Sequence, residues 1–63
     1  MNKLDEIAAR IIKNQELIIG SFAWREAGKV QGMHILDEGR AIVNIENDNP
    51  RAVIDNLVER YEQ

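Results

Sequence analysis

A chain of 63 residues with 44% apolar and 30% charged side chains has the composition of one small folded domain, not of a disordered segment. A net charge of −3, no Cys and no long apolar run exclude a strongly basic nucleic-acid binder, a disulfide scaffold or thiolate metal site, and a membrane-spanning helix. A domain of this length buries only about 60% of the surface its unfolded chain exposes, so a partner chain is the expected source of further buried area.

Residues 2–19 read as a helix. Asn2 is placed to cap it, and Asp5, three positions on, to reach back as in a capping box. Asp5 and Glu6 also suit the positive end of the helix dipole. Leu4, Ile7, Ala8, Ile11, Ile18 and Ile19 recur at helical spacing and define one apolar face.

Gly20-Ser21 is a kink site. Phe22–Ala27 has good helix propensity, so a long or kinked helix running to Ala27 or Val30, ended by Gly28 or Gly32, is expected in preference to a loop. The pattern itself leaves helix and loop both open over 20–32. In a straight helix Leu17 and Trp24 fall two turns apart on the face opposite the apolar stripe, which makes them exposed anchors for a partner.

Residues 33–46 read as a β-hairpin. Asp37-Glu38-Gly39 suits a three-residue loop with Gly in the left-handed position. That turn sets Leu36 opposite Arg40, Ile35 opposite Ala41, His34 opposite Ile42 and Met33 opposite Val43. One face then carries Met33, Ile35, Ala41, Val43 and Ile45, and the other His34, Leu36, Arg40, Ile42, Asn44 and Glu46. A polar loop, 47–49, leads to Asn49 as cap and Pro50 as first residue of a last helix to about Glu62. Val53, Ile54, Leu57, Val58 and Tyr61 form its apolar stripe. The helical pattern is still running at Gln63, so the helix is expected either to fray there or to belong to a module of a longer chain.

The predicted fold is therefore α+β, one domain over 1–63: a long or kinked helix, a hairpin and a final helix (α-β-β-α), completed by homodimerisation. A two-stranded sheet is marginal alone. Leu36 and Ile42 on the outer hairpin face, with His34 between them, join Leu17 and Trp24 as the candidate interface.

Catalytic groups are scarce. Ser21 is the single Ser, Thr is absent, and Ser21 has no base near it in sequence, so a kink or capping role is expected. His34 is the single His, with Ile42, Leu36 and Asn44 as its expected sheet neighbours, so a partly exposed strand histidine or a pH-sensitive contact is expected. Glu46, Asn47, Asp48 and Asn49 lack the length and alternation of a calcium loop. The four glycines match no phosphate-binding spacing. No catalytic, cofactor or metal residue is expected.

From about Ser21 onward, the order helix, hairpin, helix resembles the wing and final helix of winged-helix regulators. The resemblance implies DNA binding, but the hairpin tip sets Asp37 and Glu38 against Arg40 alone, a charge that repels phosphates. The leading expectation is a cytoplasmic, non-enzymatic, homodimerising interaction or regulatory module, with a protein partner and without membrane contact. The alternatives are a small winged-helix-like DNA-binding regulator, and a ligand-binding or enzyme subunit whose site forms across a dimer interface from His34 with Arg40 or Glu46 of another chain.

Overall fold

The computed structural model describes residues 3–62. They form α1 (Lys3–Ile19), α2 (Phe22–Ala27), β1 (Met33–Asp37), β2 (Ile42–Ile45) and α3 (Pro50–Tyr61). The α-β-β-α order is as predicted, with the first helix broken in two. The proposed cap at Asn2 lies outside the described residues.

The buried line of α1 is Asp5, Ala8, Ala9 and Ile12. It runs beside the expected stripe: Ile7 and Ile18 point outward and Ile11 is half buried. Apolar residues occupy so much of this helix that periodicity alone does not locate the middle of the buried face. The two alanines let the α1 backbone lie close to its neighbours. Asp5 is 5% exposed, and its Oδ1 accepts the Ile45 backbone N–H at 2.9 Å. The predicted capping carboxylate is thus a long-range acceptor that ties α1 to β2. Asp5→Ala leaves that N–H without a partner and is expected to cost about 1.5–3 kcal/mol, since the lost bond has an ionised acceptor. Asp5→Asn keeps an acceptor oxygen and is expected to cost less. Urea unfolding measures both, and an unmoved midpoint in Asp5→Ala would show the bond to be dispensable.

Gly20 ends α1. Its φ is +68°, and its N–H bonds to the Glu16 carbonyl at 2.8 Å. Glycine in the left-handed region is a common helix stop. The chain turns at Ser21 and starts α2, six residues long. This break overturns the straight-helix geometry on which Leu17 and Trp24 shared an outer face. Leu17 remains outside, but Trp24 turns inward and is 2% exposed. Its Nε1–H donates to Glu16 Oε2 at 2.8 Å, so the indole has both its apolar body and its one polar group satisfied. Trp24, Ile12, Leu57, Val43 and Val53 are the large, fully buried side chains around which the elements meet.

The hairpin pairs Met33 with Ile45, His34 with Asn44, Ile35 with Val43, and Asp37 with Ile42. The predicted register is therefore off by two residues. Leu36 is the extra residue of a bulge, and the loop is Glu38–Ala41. The left-handed residue is Ala41, at φ +56°, and not Gly39. The Arg40 N–H bonds to Asp37 Oδ1 at 3.1 Å, and the Ala41 N–H to the Glu38 carbonyl at 3.2 Å. An aspartate that folds its own turn in this way removes the need for a left-handed glycine in the loop it opens. The faces survive the error, because a two-residue slip returns every side chain to the same side. Met33 and Val43 are buried, and Ile35, Ala41 and Ile45 pack against the core.

The α3 cap is as predicted: Asn49 Oδ1 accepts the Ala52 N–H at 3.2 Å, with Pro50 first in the helix. Val53 and Leu57 are buried and Ile54 and Tyr61 half buried. The Tyr61 hydroxyl donates to the Ala23 carbonyl at 2.6 Å, which pins the end of α3 onto α2.

Candidate interaction surfaces

The outer hairpin face carries His34, Leu36, Ile42, Asn44 and Glu46, as the alternation requires. Leu36, displaced by the bulge, is 66% exposed, and Ile42 is half buried. His34 Nε2 lies 3.1 Å from Glu46 Oε2. His34 faces Asn44, and Glu46 stands two residues on, just past the end of β2, so this is a diagonal contact within one chain. The pairing expected between chains is thus made inside the hairpin. Both groups are more than half exposed, so the contact adds little stability.

The two edges of this sheet differ. The Glu46 N–H bonds to the Gly32 carbonyl at 2.8 Å, which makes 32 and 46 a hydrogen-bonded pair. Alternation then aims the backbone groups of Met33 and Ile35 away from β2, and those of Val43 and Ile45 away from β1. On the β2 side Asp5 takes the Ile45 N–H. On the β1 side the Met33 N–H turns back to the Val30 carbonyl at 3.1 Å. The Ile35 N–H and carbonyl have no partner among the described residues.

A second surface lies where α1 meets α2. Leu17 is 87% exposed, Ile18 75% and Phe22 49%. Beside them a cleft of about 410 Å³ is lined by Gln15, Ile19, Phe22, Glu26, Arg60 and Tyr61. Its two charged groups and its phenol are already engaged. Glu26 Oε1 accepts from Arg60 Nε and its Oε2 from Lys29 Nζ, both at 3.1 Å. The Lys29 hydrogen bond holds the Glu26 carboxyl below its ordinary range, with the Lys29 and Arg60 charges acting the same way against the opposing effect of burial. Burial, reinforced by the charge of Glu26, pushes the Tyr61 phenol from 10.0 up to about 12.

Tyr61 is the single tyrosine, so its titration can be followed directly. Because the folded phenol keeps its proton longer than the unfolded one, its stabilising contribution is complete below about pH 10 and is lost as pH rises toward about 12. Tyrosinate absorbance is expected to rise near pH 12 in the folded chain and near pH 10 in urea. One midpoint for both would show the hydroxyl to be solvated.

Of the residues singled out in the sequence, His34, Leu36 and Ile42 come together on one face, Leu17 sits on the corner, and Trp24 is in the core. Ile18 belongs to the apolar stripe read from the sequence, and it is exposed because the buried line of α1 runs beside that stripe. Phe22 lies just past the break at Gly20-Ser21, which re-aims whatever follows it. In the loop after β2, Asn47 Oδ1 accepts the Asn49 N–H at 2.8 Å, so these polar residues build the turn into α3. Among the described residues no three His, Asp or Glu side chains are grouped to hold a metal, and no helix is long and apolar enough to cross a membrane. No family model, curated protein or solved structure matches the chain.

Proposed function

We propose that the chain is a non-enzymatic, cytoplasmic interaction module that acts as a homodimer. The observation that carries this is the unfinished sheet: two strands, one edge closed by Asp5, the other open, and Leu36 bare on the outer face. The helices cover one face of the hairpin, but a two-stranded sheet still leaves its outer face and an edge uncovered, and a second copy is the nearest source of more strands. The engaged state of Glu26, Arg60 and Tyr61 favours a binding role over acid–base chemistry in the cleft. The Leu17, Ile18 and Phe22 corner supplies a further apolar surface for a protein partner.

Light scattering at micromolar concentration tests the dimer. The expected mass is twice the 7.2 kDa of one chain. A single-chain mass across the accessible concentration range would overturn the proposal.

A further inference from the structure

We infer that two copies join through their β1 strands, antiparallel about a two-fold axis at Ile35, to form one four-stranded sheet. The inference rests on the homodimer reading and says where that dimer forms. Three observations select this edge. The outer side of β2 is covered: the buried Asp5 carboxylate takes the Ile45 N–H, and Val43, the other residue whose backbone points outward there, is 2% exposed, whereas Ile35 on β1 is only half buried. On β1 the Met33 N–H is used within the chain, which leaves the Ile35 N–H and carbonyl as the outward pair. The β1 sequence, Met33-His34-Ile35-Leu36-Asp37, contains no Lys, Arg or Pro, the residues that commonly guard an edge.

The partner fits because the edge is its own complement. An antiparallel pair centred on one residue lets each Ile35 donate to and accept from the other, two bonds from one position. The same axis sets His34 opposite the partner's Leu36 at a non-hydrogen-bonded position, where side chains approach most closely. The exposed leucine then gains an imidazole ring as cover, twice per dimer. Charge permits the arrangement. Asp37 of each strand comes opposite Met33 of the other, so no like charges face each other across the axis. The Leu36 bulge limits the pairing to this short central stretch.

The test uses the full 63-residue chain, isotope-labelled and mixed with unlabelled chain. At concentrations where light scattering gives a dimer, the expected result is an interchain Hα–Hα contact between His34 and Leu36. Ile35 amide exchange is expected to be at least ten-fold slower than at dilutions giving a monomer. A chemically synthesised chain with N-methylated Ile35 keeps the side chain and removes the outward N–H. It is expected to stay folded by circular dichroism and to dimerise at least ten-fold more weakly. A dimer indifferent to that change, or lost instead in Ile18→Glu, would move the contact elsewhere and overturn the inference while leaving the dimer standing. A monomer at every concentration would overturn both.

Discussion

Trp24→Ala is expected to be the most destabilising truncation in the chain. The indole is the largest fully buried side chain, and truncating a buried aromatic to Ala costs about 3–5 kcal/mol. A domain of this length has roughly 3–9 kcal/mol in total, so one substitution removes a third or more of it. The loss has two parts. Most comes from the cavity left in the buried cluster. The rest comes from the Nε1–H bond to Glu16, which also fastens α2 against the end of α1. Trp24→Phe separates them: it keeps most of the packing and is expected to cost about 1–2 kcal/mol. Far-ultraviolet circular dichroism during thermal unfolding reads both without relying on the lost fluorophore. A Trp24→Ala chain that melts near the parent temperature would return Trp24 to the surface and restore it as a partner anchor.

Gly32→Ala is expected to be the most damaging single-methyl addition, at about 2–4 kcal/mol. Gly32 has φ +89°, a conformation that a Cβ opposes by itself. The added carbon would also stand 3.1 Å from Val53 Cγ2 and 3.2–3.3 Å from the Asn47 side chain. Val53 is buried in α3, so it cannot easily give way. Gly20 is the internal control. It too has positive φ, but a Cβ there meets nothing within 4 Å. Gly20→Ala is therefore expected to show the backbone cost alone, about 1–2 kcal/mol. Equal losses at the two sites in urea unfolding would mean that the crowding around Gly32 relaxes freely.

The elements whose determinants are local were legible in the amino-acid sequence. Asn49-Pro50 and the spacing of Val53 and Leu57 specify α3 within one stretch, and the hairpin faces follow from strict alternation. What was not legible depends on where separate stretches meet. Alternation distinguishes odd from even positions and nothing finer, so it could not detect that the hairpin register was off by two. Helical periodicity carried across Gly20-Ser21 sent Trp24 to the wrong side, because a left-handed glycine resets the phase of whatever follows. Asp5, three positions after Asn2, suggested a local capping role, and nothing near it in sequence announced its bond to the Ile45 N–H. Of the candidate site, His34, Leu36 and Ile42 were correctly grouped on one strand face. Phe22 was missed for the same reason as Trp24, and Ile18 because the buried line of α1 runs beside the apolar stripe.

The bond from Asp5 to Ile45 joins positions 40 residues apart. Its consequence is one of timing. On a ribosome making about 5–20 residues per second, Asp5 is made several seconds before the residue it must hold. Through that interval α1 has neither β2 nor α3 to lie on, and as an isolated helix of 17 residues it is only marginally stable. The hairpin and the 12-residue α3 are no more stable alone. The early-made α1 thus settles only once β2 and α3 have followed it, and the core closes across all of these elements together.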